Sequence, residues 1–146
     1  MENISITPAR PSDLALLFAL QKEQIDRYEN IKALASYEAV LRQLRVHTAD
    51  GLDQYARIEA DGALAGFYRL RRDGEGLELE DFYLLPGWRG RGIGSRVLRD
   101  ILSSCRTVSL YAFADNQGAV RFYKRLGFRE LYRRRTRLRM TREGEK

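Results

Sequence analysis

The chain has 146 residues, 44% of them hydrophobic, with a net charge of +6 and a single cysteine. That length fits one ordinary domain, which hides roughly two-thirds of its unfolded surface without staples. The apolar content excludes a disordered tail protein. No apolar run approaches the ~20 residues of a membrane helix. The opening MENISITPAR carries no apolar signal core, and Cys105 alone allows no internal disulfide, so a cytoplasmic location is the default expectation. Charge is uneven. Arg121 to Arg142 holds ten basic residues against one acid, Glu130, so the remainder of the chain is mildly acidic. A basic end on an acidic body suits an anionic partner, either a nucleic acid or a phosphorylated cofactor, unless it is simply a solvated face.

Ile4–Thr7 alternates as a first strand would, and Pro8 and Pro11 end it. Ser12 is placed to cap a helix through Leu14, Leu17, Phe18 and Ile25. Ser36 is placed to cap a second, with Val40, Leu41 and Leu44 on its apolar side and His47 exposed near its end. Tyr55–Ile58 and Leu64–Leu70 read as strands around an Asp-Gly hairpin turn. A turn at Asp73–Gly76 leads into a strand Leu77–Leu85, which Pro86 stops. After a glycine-rich loop, Ile93, Val97, Leu98, Ile101 and Leu102 form the stripe of a third helix, and Cys105 follows it as a small packed hydrophobe. Val108–Phe113 is a short strand. Asn116 is placed to cap a fourth helix, which buries Ala119, Phe122, Tyr123 and Leu126 and ends at Gly127. Phe128 to Met140 closes the chain as a strand pair, with Arg133, Arg135, Arg137 and Arg139 expected on one face. The order β-α-α-β-β-β-α-β-α-β-β predicts a single α/β (α+β) domain over residues 1–146. Its sheet is expected to be mixed, mainly antiparallel and flanked by helices.

The loop Arg89-Gly90-Arg91-Gly92-Ile93-Gly94 lies between a strand and a helix. Glycines let a backbone approach an anion closely, and the free N–H groups of a first helical turn then face it. Arg89 and Arg91 add charge-assisted bonds to phosphate. A P-loop needs a Gly-Lys-Ser/Thr end, which is absent. A dinucleotide fingerprint follows the first strand of its fold, and this loop comes late. A plain strand-to-helix turn stays open on the loop alone.

The stretch LEDFYLLPGWRGRGIGSRVL, Leu79–Leu98, resembles motif A of the GNAT N-acetyltransferases, whose pattern is Q/R-x-x-G-x-G/A. NQGAVRFYKRLGF, Asn116–Phe128, resembles their motif B, N-x-x-A-x-x-F-Y-x-x-x-G-F. The resemblance implies a GNAT fold and an acetyl-CoA-dependent N-acetyltransferase. Acetyl-CoA would lie in a splay between the strand ending at Leu85 and the strand Val108–Phe113. Backbone groups of Leu84 and Leu85 would pair with its pantetheine arm. The amides of Arg89, Gly90, Arg91, Gly92, Ile93, Gly94 and Ser95 would hold its pyrophosphate, and Asn116 would contact the arm. Tyr123 would be the general acid for the leaving thiolate; otherwise it is a core aromatic. Trp88 would pack by the loop or touch the cofactor.

An amine attacks a thioester only when neutral, so a base must take its proton. Carboxylates on the strand beside the thioester suit this. Glu78 and Glu80 share a face, with Asp81 opposite unless a bulge intervenes, as it does in the family. Glu80 is the favoured base, with Glu78 and Asp81 behind it as base or as substrate-binding groups; a merely solvated Glu80 stays open. LEDF followed by RGxGIGS is also similar to the diamine acetyltransferase branch, and three acids would attract a cationic amine.

His47 is the sole histidine, and no Cys, His or acid cluster has metal spacing, so no metal is expected. Direct transfer in a ternary complex needs no protein nucleophile. The expected partners are acetyl-CoA and an amine, whether of a small molecule, a peptide or a protein. No membrane partner is expected. A homodimer is compatible with the family, with no residue to fix its surface. Two other functions compete: an acyl-CoA sensor without turnover, and a nucleic-acid-binding module, which lacks the interleaved aromatics of a stacking platform along its arginines.

Overall fold

In the computed structural model, residues 1–104 and 107–143 are described, so Cys105 lies outside the described residues. Seven strands form one sheet in the order β1-β2-β3-β4-β5-β7-β6. The strands are β1 (Ile4–Pro8), β2 (Tyr55–Ala60), β3 (Ala63–Asp73), β4 (Gly76–Leu84), β5 (Val108–Phe113), β6 (Arg129–Arg134) and β7 (Arg137–Arg142). All neighbours are antiparallel except β4 and β5. The helices are α1 (Leu14–Tyr28), α2 (Tyr37–Asp50), α3 (Ile93–Leu102) and α4 (Gln117–Arg125). No described helix is long and apolar enough to cross a membrane.

Period-two alternation assigns the strands' side chains to two cores. Ile58, Leu79, Val108, Leu110 and Met140 face α3 and α4, whose Leu98, Leu102 and Tyr123 close that side. Tyr55 and Phe67 face the other way and meet Leu17 and Leu20 of α1. α2 rests on α1 through Ile25, Tyr37 and Leu41. The expected caps differ. Pro11 opens a short 3-10 turn, Pro11–Asp13, in which the Asp13 carboxylate, not Ser12, accepts the Arg10 N–H at 2.8 Å. Ser36 precedes α2, yet its side chain makes no cap bond. Asn116 does cap α4, accepting the Ala119 N–H at 3.2 Å.

The arginine face expected at the C-terminal end is also corrected. Arg135, at φ 55°, and Thr136 form the turn between β6 and β7. Register then pairs Arg133 with Leu138, and Tyr132 with Arg139. Cross-strand partners share a face, so the turn puts Arg133 and Arg139 on opposite faces.

One irregularity shapes the middle of the sheet. Between the pairs Phe67↔Tyr83 and Arg69↔Glu80, β4 carries one more residue than β3, and Asp81 adopts φ 51°. This is a bulge, which bends a strand and re-aims its side chains. Gly66 permits it, because a Cβ there would lie 2.0 Å from the Tyr83 carbonyl oxygen.

Candidate active site

β4 and β5 keep register at only two pairs, Leu77↔Val108 and Glu78↔Ser109. Beyond them the strands diverge and open a cleft of about 840 Å³. Its floor is β4 from Glu78 to Leu84 and β5 from Leu110 to Phe113. One wall is the glycine loop with α4, and the other is α1 with the end of α2.

The loop forms as its glycines require. Gly90 and Gly92 take φ 74° and 79°, where a side chain is strained. The Arg96 N–H bonds to the Gly92 carbonyl at 3.1 Å and closes the first turn of α3. The amides of Ile93, Gly94 and Ser95 precede that bond and so have no carbonyl partner within the helix. Arg89, Gly90, Gly92, Gly94 and Ser95 line the cleft. Arg91 turns away, with its guanidinium 4.7 Å over the Trp88 ring and 3.6 Å from Glu2. Ile93 is wholly buried. The Arg89 Nε donates to the Leu84 carbonyl at 2.9 Å, and the Leu85 N–H donates to Ala65 at 2.8 Å, so these two backbone groups already have partners.

Asn116 and Tyr123 face the same cleft from α4. Tyr123 is buried edge-on between Phe122 and Phe128, with centroids at 5.3 and 5.6 Å. Burial alone pushes its phenol well above the ordinary value, which holds its proton in place.

The three carboxylates of β4 all line the cleft, because the bulge keeps Asp81 on the side of Glu78 and Glu80. Their surroundings differ. Both Glu78 oxygens receive Arg139 of β7, at 2.6 and 2.9 Å. Glu80 accepts Arg71 Nε at 2.5 Å, with Arg69 at 3.9 Å. Asp81 forms no ion pair among the described residues; Gln21, Tyr55 and Tyr83 donate to it instead. Burial first, and then the Asp81 charge, raise the Tyr55 and Tyr83 phenols.

A profile of the acetyltransferase (GNAT) family matches residues 17–128. The chain belongs to the GNAT family. Among curated relatives, an uncharacterized N-acetyltransferase of Methanocaldococcus jannaschii is 38% identical over 58 residues, which are 36% of this chain and 26% of that protein. The chain thus spans about a quarter of that relative's length. Thialysine N-epsilon-acetyltransferase of Mus musculus is 27% identical across 90% of this chain and 87% of its own. Among solved structures, the PaiA N-acetyltransferase of Thermoplasma acidophilum in complex with coenzyme A superposes with a TM-score of 0.71. That match covers 97% of this chain and 99% of that one, at 22% identity. The GNAT fold is therefore shared, with its open, mixed sheet.

Several residues of this GNAT cleft escape sequence reasoning. Gln21 and Thr48 are buried, and Tyr55 and Tyr83 carry hydroxyls into the same cluster. Gln21 carried a readable sign, since it stands four residues from both Leu17 and Ile25 in the apolar stripe of α1.

Proposed function

We propose that the protein transfers the acetyl group of acetyl-CoA to a primary amine within a ternary complex. The observation that carries this reading is the parting of β4 and β5 directly beside the Arg89–Gly94 loop, with Tyr123 in the wall. A gap between strands offers backbone groups to an extended amide-bearing arm. The first turn of α3 offers N–H groups and a positive dipole end to a pyrophosphate. Arg89, exposed at the rim, adds charge there. The relatives named N-acetyltransferases, and the coenzyme A bound to the Thermoplasma protein, support the same donor.

The amine nitrogen attacks the thioester carbonyl, the C–S bond breaks, and the thiolate needs a proton. A buried phenol that keeps its proton at neutral pH suits that donation, so Tyr123 is assigned as the general acid. A β4 carboxylate relieves the amine of its proton. No protein nucleophile is needed, since the acyl group moves once.

The test is a thiol-release screen of amines, amino acids and peptides with acetyl-CoA, run beside calorimetric binding of acetyl-CoA. Binding with thiol release for at least one acceptor class is expected. Binding without release for any acceptor supports a sensor instead. Absence of binding removes both readings.

A further inference from the structure

We propose that Asp81 is the seat of the acceptor's ammonium group and takes its proton, with Gln21, Tyr55 and Tyr83 as positioning residues. The inference rests on the acyl-transfer reading and selects among the carboxylates that reading leaves open.

Charge bookkeeping separates the three acids. Glu78 is neutralised by a two-pronged guanidinium, and Glu80 by Arg71 with Arg69 nearby. An ammonium approaching either meets a cation already in place. Among the described residues Asp81 receives hydrogen bonds from neutral donors alone, so its negative charge is open to a cation from the cleft.

The lone pairs can be counted. A carboxylate offers about four acceptor positions, two on each oxygen. Oδ2 of Asp81 receives Gln21 Nε2 at 3.0 Å and the Tyr55 hydroxyl. Among the described residues, Oδ1 receives the Tyr83 hydroxyl alone, at 2.9 Å. One position on Oδ1 is left for an N–H from the cleft. The aim of the group is fixed from three elements: Gln21 on α1, Tyr55 on β2 and Tyr83 on β4. Gln21 is itself held, 3.0 Å from Thr48 Oγ1 of α2. A buried polar cluster of this size is costly unless every member is satisfied. Here every bond converges on the orientation of one carboxylate. The backbone contributes as well, because Asp81 occupies the left-handed region that side chains rarely adopt. Tyr83 donates to Asp81, and Asp81, Tyr83 and Tyr123 all line the same cleft, so the proposed base and acid open onto one space.

The protons balance. The bound ammonium gives one proton to Asp81 and becomes a neutral amine. Its nitrogen bonds to the thioester carbon, the C–S bond breaks, and Tyr123 protonates the departing thiolate. The new amide nitrogen releases a second proton, which restores the Tyr123 phenol, and Asp81 returns its proton to solvent. The products are the acetylated amine and the free thiol.

The test uses n-propylamine, a probe with one ammonium and no other polar group. Protein labelled with carbon-13 at the aspartate carboxyls and saturated with coenzyme A is titrated with it. A saturable shift of the Asp81 signal, identified by its loss in Asp81→Asn, is expected; no shift overturns the seat. Thiol release is then measured with acetyl-CoA and the most active amine. Asp81→Asn is expected to lower kcat/KM for the amine about 100-fold, the usual scale of a lost base. Acetyl-CoA affinity stays within about twofold and Glu80→Gln costs under about tenfold; the reverse ranking overturns the proposal. Should Asp81→Asn fold poorly, Tyr55→Phe removes one hydroxyl. It is expected to lower kcat about tenfold with KM for the amine nearly unchanged, and an unaltered kcat counts against the proposal. A propylamine shift without thiol release from any amine sinks acyl transfer and leaves the ammonium seat standing. Thiol release that ignores Asp81→Asn does the opposite.

Discussion

Tyr123 illustrates how one side chain takes its chemistry from its surroundings. Its phenol is enclosed by Phe122 and Phe128, and no charge within the enclosure favours the phenolate. Tyr123→Phe keeps the packing and removes the proton. It is expected to lower kcat about 100-fold in thiol release, while acetyl-CoA affinity by calorimetry stays within about twofold. An unchanged kcat would return Tyr123 to the core. Its place in the wall of the cleft was legible in the sequence because it stands inside a contiguous motif. Asp81 was legible as a candidate but not as distinct from its neighbours. What distinguishes it is the lack of an ion pair to any described arginine, whereas the arginines that serve Glu78 and Glu80 come from β7 and β3. Partnerships across the sheet are set by register, and a linear reading gives no register for strands far apart in the chain.

At the scale of elements, the helices and most strands followed from periodicity. Val108–Phe113 has the same bounds in sequence and structure, since an isolated apolar run between turns has few alternatives. The C-terminal arginine face failed because a two-residue turn resets alternation, and no Gly or Asn marked that turn. The glycine loop is a joint between β4 and α3, and Gly92 enters α3 in the left-handed region, at φ 79°. Apart from its chain neighbours, nothing lies within 4 Å of a Cβ built there, so a side chain would project into open space, where the acetyl-CoA reading puts the pyrophosphate. Gly92→Val is expected to abolish acetyl-CoA binding in calorimetry and to cost about 1–2 kcal/mol of stability through backbone strain. Normal binding would refute the loop's role. Across the sheet, Glu78 and Arg139 bridge β4 to β7 over β5. Glu78→Ala leaves a largely buried guanidinium without its main partner, with Asp73 only at 4.0 Å. The expected loss is about 3 kcal/mol in urea unfolding. A loss under about 0.5 kcal/mol would make the pair a mere surface link.

For the molecule as a whole, phenols raised by burial, Tyr68 among them, make stability depend on alkaline pH. Tyr55, Tyr83 and Tyr123 all have folded-state values raised above the ordinary 10.0, chiefly by burial. Below pH 10 both folded and unfolded chains keep these protons, and the groups add no pH dependence. Above it, the unfolded chain releases protons that the folded chain retains, so unfolding is favoured. Each phenol contributes a slope of about 1.4 kcal/mol per pH unit. Denaturant midpoints measured between pH 9 and 11.5 should be level at first and then fall steeply. A flat profile through pH 11.5 would mean these hydroxyls ionise freely in the folded protein.

The two-pair seam between β4 and β5 has a consequence for the lifetime of the chain. Two rungs are little to hold two halves of a sheet together, and on the acetyl-CoA reading a ligand in the gap would complete the seam as a surrogate strand. On the acetyl-CoA reading, that ligand is an intermediate whose supply follows metabolism. Occupancy at 100 times Kd adds about 2.7 kcal/mol to the folded state by mass action. Abundance would then track nutrition, the chain persisting when its donor is plentiful and becoming exposed to proteolysis when it is scarce.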